Sequence, residues 1–293
     1  SGMRWIFFVL FLLFYIVIMV GNLLIFLMVF SDPQLHTPMY FFLANLSFVD
    51  VCNSTTITPK MLADLLSEKK TISFAGCFLQ MYFFIALATT ECILFGLMAY
   101  DRYAAICRPL LYSLIMSRTV YLKMAAGAFA AGLLNSMVNT SYVSSLSFCG
   151  SNVIHHFFCD ISPVLKLASQ HSGFSQLVIF MLGVFALVIP LLLILVSYIR
   201  IISAILKIPS SVGRYKTFST CASHLIVVTV HYSCASFIYL RPKTNYTSSQ
   251  DTLISVSYTI LTPLFNPMIY SLRNKEFKSA LRRTIGQTFY PLS

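Results

Sequence analysis

The stretch that decides the fold is Trp5 to Phe30, which reads WIFFVLFLLFYIVIMVGNLLIFLMVF and contains no charged side chain. An α-helix rises about 1.5 Å per residue, so a run of this length crosses a hydrocarbon core of about 30 Å with some tilt. The rest of the chain is similar, since 58% of its 293 residues are hydrophobic and 10% are charged. A soluble domain carries roughly a quarter of its residues as charges. The stretch therefore predicts a helix in a lipid bilayer.

Six more apolar segments follow, separated by short polar links, and several contain proline, which membrane helices tolerate. Strands are not indicated, because no segment alternates polar and apolar residues. After the last segment, Phe277, Leu281 and Ile285 recur at helical spacing among basic residues, which is typical of an amphipathic helix on a membrane surface. We predict an all-α membrane protein of one domain, 1–293: a seven-transmembrane helix bundle with spans at about 5–30, 39–66, 74–106, 120–143, 174–206, 218–240 and 253–272, and a short amphipathic C-terminal helix at about 274–289.

The net charge of +11 does not indicate a nucleic-acid partner, because the basic residues form no continuous patch. Basic residues instead favour one side of the predicted bundle, the side of the links after spans 1, 3 and 5 and of the tail. Cytoplasmic links of membrane proteins are enriched in Lys and Arg, so this side is predicted to be cytoplasmic and the N-terminus extracellular. Thirteen of the 20 basic residues lie there, with their flanking helix ends: Arg102, Arg108, Arg118, Lys123, Arg200, Lys207, Arg214, Lys216, Arg273, Lys275, Lys278, Arg282 and Arg283.

Four polar residues lie deep within predicted spans, where a charge costs at least ~2.5–3.5 kcal/mol on insertion scales. The two acids are Asp50 in span 2 and Glu91 in span 3, and the two amides are Asn22 in span 1 and Asn266 in span 7. One interpretation is a polar cluster that holds water or a structural sodium ion at Asp50 and Glu91. The other is a neutral hydrogen-bond network in which one or both acids are protonated.

Two motifs lie in the spans where a signalling receptor would carry them. Asp101-Arg102-Tyr103 ends span 3, and span 7 contains Asn266-Pro267-Met268-Ile269-Tyr270. A proline followed by a buried tyrosine makes a local weak point at which a helix can change shape. Either motif alone says little, since an arginine at a helix end often only reaches toward lipid headgroups. Together, in a seven-span chain, they indicate a receptor.

Further motifs make the chain similar to an olfactory (odorant) receptor of the class II, tetrapod-type branch within the rhodopsin-like G protein-coupled receptor superfamily. The resemblance covers nearly all of the chain. The motifs that carry it are Gly21-Asn22, Leu35 to Leu43, Leu46-Ser47 with Asp50, Pro59-Lys60, Met98 to Tyr103, Ala105 to Leu110, Ser197-Tyr198, Lys216 to Leu225, Leu240-Arg241-Pro242, Pro263, and Asn266-Pro267 through Ser271 to Asn274.

The resemblance implies a function, two partners and a location. A small, mostly apolar odorant would bind in the outer half of the bundle, and a heterotrimeric G protein of the stimulatory, olfactory type would then raise cAMP. The implied location is the plasma membrane, as a multi-pass protein, in the cilia of olfactory sensory neurons. The residues implied to form the coupling switch are Asp101, Arg102, Tyr103, Tyr198, Asn266, Pro267 and Tyr270.

A ligand cavity is expected at the outer ends of spans 3, 5, 6 and 7, from helical spacing and from the positions that such receptors use. The expected residues carry no charge, so recognition would rest on shape, dispersion and one or two hydroxyl groups, which favours weak and broad binding. Some of them are expected to pack only between helices. They are Phe84, Ala88, Leu182, Ala186, Tyr232, Ser236, Tyr239, Ser255 and Thr259.

The resemblance also implies a disulfide between Cys77, at the start of span 3, and Cys159, in the long loop before span 5. Family members usually have a second bridge within this loop, but Ser169 replaces the expected partner of Cys149. A free Cys149 puts the rigidity of the loop in doubt. The neighbouring His155 and His156 could bind a soft metal, but ordinary loop contacts are favoured, because a disulfide at Cys159 would remove the thiolate and adjacent histidines point apart.

Three other functions were weighed. The same receptor scaffold could sense a non-odorant molecule in another tissue, which sequence does not decide. A transporter usually shows paired repeats and broken helices, and the sequence has neither. An enzyme needs a nucleophile and base or a metal constellation, and the sequence has neither a His-Glu-x-x-His nor a Gly-x-Ser-x-Gly motif. We therefore predict a receptor without enzymatic activity, and no cofactor other than structural sodium.

Overall fold

The computed structural model describes residues 2–169, 173–239, 248–273 and 275–289. Seven long helices account for most of these residues. They are α1 (Gly2–Ser31), α2 (Pro38–Leu66), α3 (Phe74–Cys107), α5 (Arg118–Ser144), α7 (Gly173–Leu206), α8 (Ser211–Tyr239) and α9 (Ser248–Arg273). The shorter helices are α4 (Tyr112–Ile115), α6 (Ile161–Leu165) and α10 (Lys275–Phe289). The predicted seven-helix bundle with an amphipathic C-terminal helix is confirmed.

Polar residues in the short links start the long helices. Thr37 caps α2 by accepting a hydrogen bond from the amide of Tyr40, and Ser73 caps α3 through the amide of Gly76. These side chains satisfy amides that have no partner within the helix. The α8 helix begins at Ser211, well before the predicted span at 218. Apolar composition marks the lipid-embedded part of a helix, and the helix itself continues into the polar link.

Within the described residues, four helical segments are long and apolar enough to cross a membrane by composition alone: Gly2–Ser31, Phe74–Cys107, Leu177–Leu206 and Thr252–Tyr270. The remaining long helices, α2, α5 and α8, carry more polar residues. Many of those polar side chains are buried inside the bundle, such as Asp50, Asn135 and His231. A helix that turns its polar residues inward can still present an apolar surface to lipid.

The α3 helix lies at the centre of the bundle and packs against α2, α5, α7 and α8. By contrast, α1 and α7 leave many large apolar side chains exposed, as expected for helices that face lipid. Close approach of α3 and α5 depends on Gly132, because a Cβ there would lie 2.4 Å from the carbonyl oxygen of Ala86 and 2.3 Å from Thr90 Oγ1. No other residue fits at this crossing without a shift.

Proline 267 creates a contact between the first and last long helices. Because it has no amide hydrogen, the carbonyl of Pro263, one turn earlier in α9, cannot receive its normal helical hydrogen bond. The side chain of Asn22 in α1 donates to that carbonyl at 2.9 Å instead. Gly21 leaves room for the proline ring, since a Cβ there would lie 3.2 Å from two of its atoms. The Gly21-Asn22 motif therefore joins α1 to the kink in α9.

Candidate functional site

Two ends of the bundle carry the predicted functional residues. We call the end with the Cys77–Cys159 disulfide the disulfide end, and the end with Arg102 the arginine end. Buried apolar residues form one cluster toward each end. Between them lies a group of buried polar side chains contributed by α1, α2, α3, α8 and α9.

At the arginine end, Arg102 is held by the residue before it. Its guanidinium donates to Asp101 Oδ2 from Nε at 3.2 Å and from Nη2 at 2.9 Å. The hydroxyl of Tyr112 in α4 donates to the other carboxylate oxygen at 2.7 Å. Burial, followed by the nearby Asp101 charge, raises the pKa of Tyr112 and keeps it a donor. Tyr103, which is half-buried, packs against the apolar cluster of this end.

A hydrogen bond links α7 to α8 nearby. The hydroxyl of Tyr198 lies 2.6 Å from His224 Nδ1, and the two rings are stacked with their centres 5.6 Å apart. Both side chains are buried. Tyr270 in α9 is buried as well, and its hydroxyl has no hydrogen-bond partner among the described residues. His224 was not predicted as a functional residue, although it lies in a motif that carried the resemblance.

The polar centre divides into two pairs. Asp50 Oδ2 accepts a hydrogen bond of 2.7 Å from Asn266 Nδ2, which joins α2 to α9. Glu91 Oε1 in α3 lies 3.3 Å from His231 Nδ1 in α8, within ion-pair distance. The other ring nitrogen of His231 lies 3.4 Å from the sulfur of Cys92.

The sequence predicts the cluster of Asp50 and Glu91, but His231 was not among the predicted residues. The only signal for it was a histidine directly before Tyr232 within a predicted span. A buried histidine in a membrane helix is as unusual as a buried acid, and it calls for a partner.

At the disulfide end, the bond between Cys77 and Cys159 ties the loop after α5 to the start of α3. A second tie lies beside it. The amide of Cys159 donates to Gln80 Oε1 at 2.9 Å, and Gln80 Nε2 donates to the carbonyl of Thr56 in α2 at 3.0 Å. Gln80 is buried and was not predicted. The loop is therefore fixed both covalently and by hydrogen bonds.

This loop covers part of the predicted ligand cavity. Phe158 packs on Phe84 with ring centres 4.9 Å apart, and the ring of Tyr258 in α9 lies 6.5 Å from that of Phe84. His156 Nε2 makes a 3.1 Å hydrogen bond with the hydroxyl of Ser255. Two predicted ligand residues thus contact the loop, and Tyr258 adds an aromatic wall that sequence analysis missed.

The other predicted ligand residues differ in burial. Ala88, Leu182, Ala186 and Ser236 are half-buried, which fits a lining role as well as a packing role. Tyr232 is buried in the cluster of the arginine end, with its ring 5.3 Å from that of His231. Thr259 donates to the carbonyl of Ser255 in its own helix. The side chain of Tyr239 and the motif Leu240-Arg241-Pro242 lie outside the described residues.

The position of the expected second disulfide is held without one. Cys149 is an exposed free cysteine. Its amide donates to the hydroxyl of Ser169 at 2.9 Å, and the amide of Ser169 donates to the carbonyl of Ser147 at 2.9 Å. Two hydrogen bonds therefore join the segments that the second disulfide would join.

The structure does not support the interpretation that the loop histidines bind a soft metal. Cys159 is in the disulfide, and His156 is bonded to Ser255. Across the described part of the chain, no group of three His, Cys, Asp or Glu side chains could hold a metal ion.

The amphipathic helix α10 is attached to the link between α1 and α2. Arg283 donates to Asp32 Oδ2 at 2.6 Å, and the hydroxyl of Tyr40 donates to Glu276 at 3.0 Å. The hydrogen bond from Arg283, followed by that from the Gln34 amide, lowers the pKa of Asp32. These contacts give the Leu35 to Leu43 motif a structural role at the arginine end.

A known structure has the same architecture. The crystal structure of squid rhodopsin superimposes with a TM-score of 0.72, covering 100% of this chain and 88% of that chain at 18% identity. The two proteins share one fold, a bundle of seven long helices like that of rhodopsin.

The olfactory receptor family profile matches residues 11–288. Olfactory receptor 10K1 of Homo sapiens is 73% identical over 286 residues, covering 98% of this chain and 91% of that protein. Olfactory receptor 5F1 of Homo sapiens is 65% identical over 280 residues, covering 96% and 89%. The chain belongs to the olfactory receptor family, whose members are G protein-coupled receptors and not enzymes.

Proposed function

We propose that this receptor binds small, mostly apolar odorants beneath the loop at the disulfide end and activates a stimulatory, olfactory-type G protein at the arginine end, which raises cAMP. The disulfide end would then be extracellular, together with the N-terminus, and the arginine end cytoplasmic. This orientation agrees with the excess of basic residues at the arginine end. The plasma membrane of olfactory sensory cilia is the proposed location.

The observation that carries the ligand proposal is the composition of the disulfide end. Phe84, Phe158 and Tyr258 form an aromatic wall, and the predicted ligand residues add small and hydroxyl side chains without any charge. Such a site offers dispersion and one or two hydrogen bonds, which suits volatile molecules and disfavours ions. The covering loop would exclude water and would select ligands by shape.

The coupling proposal rests on the bonds that hold the arginine end. Arg102 is bound to Asp101, and Tyr198 to His224. In the active form, the end of α8 near His224 would move outward, and Arg102 would meet the G protein with Tyr198 and Tyr270 nearby. Asp101, Tyr103, Asn266 and Pro267 would support that change. A ligand shifts the balance only as far as it binds the active form more tightly.

His231 offers a route between the two ends. Its ring lies 5.4 Å from that of Tyr258 at the ligand wall and within ion-pair distance of Glu91 in the polar centre. A ligand that displaces Tyr258 would disturb His231, and through it the contact of α8 with α3. This chain would thus use His231 and Tyr232 together to sense the ligand.

A structural sodium ion is proposed near Asp50. The hydroxyl of Ser47 and Oδ1 of Asn266 are buried and have no hydrogen-bond partner among the described residues. With the Asp50 carboxylate they form a set of oxygen donors, which a hard cation prefers. The fit is poorer at Glu91, because its Oε1 faces His231. When bound, the ion would neutralise Asp50.

The test is GTP exchange on a purified stimulatory G protein, with the receptor in lipid nanodiscs and a chemically broad odorant panel. We expect at least one odorant to accelerate exchange. Leu182→Ala should then weaken its potency roughly tenfold, because truncating a leucine at a ligand contact removes apolar burial. The matched control is Leu177→Ala, in the same helix but 55% exposed toward lipid. Equal effects of the two variants, or no odorant-dependent exchange, would contradict the proposal.

A further inference from the structure

A large cavity lies at the disulfide end, beside the proposed odorant site. Its volume is about 1030 Å³, and its walls come from the end of α2, the link between α2 and α3, and the loop after α5, with Gln80 of α3 and Thr252 of α9. None of its lining residues belongs to the predicted odorant set, which lies on α3, α7, α8 and α9. Ligand pockets typically have ≈ 300–1,000 Å³, so this cavity is large enough for a small organic molecule.

A fixed wall separates this cavity from the proposed odorant site. Gln80 bonds to the amide of Cys159 on one side and to α2 on the other, and the disulfide lies beside it. Phe158 lines the cavity and also packs on Phe84 of the odorant set. Because covalent and hydrogen-bonded ties hold the wall, a molecule in the cavity does not merge with one beneath the loop.

The charges of the cavity wall favour an anion. Lys60 and Asp64 lie one helical turn apart on α2 and form an ion pair, so their charges offset each other. Lys70, in the link after α2, is exposed at the cavity and takes part in no ion pair between described residues. Lys70 is therefore the uncompensated cation of the described wall.

The rest of the described wall mixes apolar and polar side chains, and its apolar residues come from both α2 and the loop. Met61 and Leu65 lie one helical turn apart on α2 and line the cavity, and so does Ile72 in the link after α2. Phe157 of the loop lies opposite and is stacked on His156 with ring centres 4.8 Å apart. A cation beside an apolar surface binds a molecule with a carboxylate at one end and a hydrocarbon chain at the other.

We propose that this cavity is a second binding site, distinct from the odorant site, that takes aliphatic carboxylates. The carboxylate binds Lys70, and the hydrocarbon chain lies against Met61, Leu65 and Phe157. The ion pair of Lys60 with Asp64 keeps a second cation out of reach and limits the site to a single negative charge. The proposal needs no G protein coupling, so it stands or fails separately from the proposed function.

The experiment measures binding of hexanoate to the purified full chain in lipid nanodiscs by saturation-transfer NMR, with empty nanodiscs as background. We expect saturable binding of hexanoate that depends on Lys70, whereas any binding of hexan-1-ol, which has the same chain without the charge, should not depend on it. Lys70→Gln should weaken hexanoate binding roughly tenfold or more, because a charged hydrogen bond is lost. Unchanged binding of hexanoate in Lys70→Gln, or an equal loss of hexan-1-ol binding in that variant, would overturn the proposal.

The neighbouring lysine is the matched control. Lys69 lies in the same link but not in the cavity wall, and only its backbone carbonyl is used, as the acceptor for Ser67 Oγ at 2.7 Å. Lys69→Gln should therefore bind hexanoate like the parent chain, and an equal loss in both variants would indicate a general surface-charge effect and refute the site.

Two further measurements separate this site from the odorant site. Arg102→Ala should bind hexanoate normally, since it acts at the other end. An odorant that activates the receptor should leave hexanoate bound, and full displacement by it would show one shared site and refute the second.

Discussion

The two ends of this receptor are held together by different kinds of interaction. The disulfide end has a covalent bond, the buried Gln80 between two backbone groups, and stacked aromatic rings. The arginine end is held by side-chain hydrogen bonds and ion pairs, among them Arg102 with Asp101 and Tyr198 with His224. The disulfide persists in every state of the folded protein, whereas side-chain hydrogen bonds and ion pairs can exchange partners at little cost. The first end is suited to recognition and the second to switching.

The largest effect is expected at the arginine end. Arg102→Ala should abolish odorant-evoked cAMP without reducing surface expression, because the proposed role of Arg102 is contact with the G protein rather than support of the fold. A cAMP reporter with surface immunostaining makes the measurement. Arg118→Ala, an exposed arginine at the start of α5, should keep most of the signal. A persisting response in Arg102→Ala would show that the switch does not lie at the arginine end.

Introducing the second disulfide should raise the stability of the disulfide end. Ser169→Cys places a thiol beside Cys149, whose amide already lies 2.9 Å from the Ser169 hydroxyl. Closing a loop of this length contributes about 3 kcal/mol in the chain-entropy view. We expect mass spectrometry to show one more disulfide and the Tm to rise, whereas Ser169→Ala should lower it slightly. Two free thiols in the cysteine variant would mean that the segments are not adjacent.

A pH dependence is expected at the disulfide end. Burial raises the pKa of Asp160 from 3.8 to about 6, against the opposing hydrogen bond from the Ile161 amide. The folded loop therefore binds a proton more tightly than the unfolded chain does. Its contribution to stability is greatest below about pH 4, falls as pH rises through 6, and is constant above.

Asp160→Asn tests this, because an amide keeps the helix cap but cannot titrate. At pH 7.5 the variant should be more stable than the parent by at most about 3 kcal/mol, since each pKa unit is worth about 1.36 kcal/mol. At pH 4.5 the difference should shrink. Thermal unfolding in detergent at both pH values makes the comparison. The same Tm difference at both would contradict the assignment.

A substitution at the crossing of α3 and α5, which lies between the two ends, should destabilise the whole bundle. Gly132→Ala places a Cβ against the backbone of α3 and should destabilise the bundle by about 1–3 kcal/mol through overpacking. Gly127→Ala is the control in the same helix, because a Cβ there meets nothing within 4 Å. Its effect should be neutral or stabilising, as expected for alanine in a helix. Monodisperse yield and Tm would report the difference, and equal behaviour would argue against the close crossing.

The smallest effect is expected from a single hydrogen bond of the switch. His224→Leu removes the partner of the Tyr198 hydroxyl and should destabilise the inactive form by about 1 kcal/mol, which corresponds to roughly a fivefold rise in basal signal. Basal cAMP normalised to surface expression is the measurement. An unchanged basal signal would mean that the bond is equally strong in both forms.

Sequence by itself determined the elements of this protein. The apolar runs predicted the long helices, and the spacing of Phe277, Leu281 and Ile285 predicted α10, because local composition governs both lipid burial and amphipathicity. The motifs around Asp101 and Pro267 identified the receptor family. The short helices α4 and α6 were not predicted, since a single turn leaves no periodic signal.

Only the tertiary structure decided which polar groups meet. Asp50, Glu91 and Asn266 were predicted as one polar cluster, but the sequence did not show that Asp50 bonds to Asn266 or that Glu91 faces His231. Likewise, the side chain of Asn22 donates to the Pro263 carbonyl, and Gln80 accepts a hydrogen bond from the Cys159 amide in the loop after α5. These partners are far apart in the chain, and their contact depends on the rotation and depth of whole helices. Periodicity assigns a residue to the inner face of its helix, and packing then decides which residue it meets.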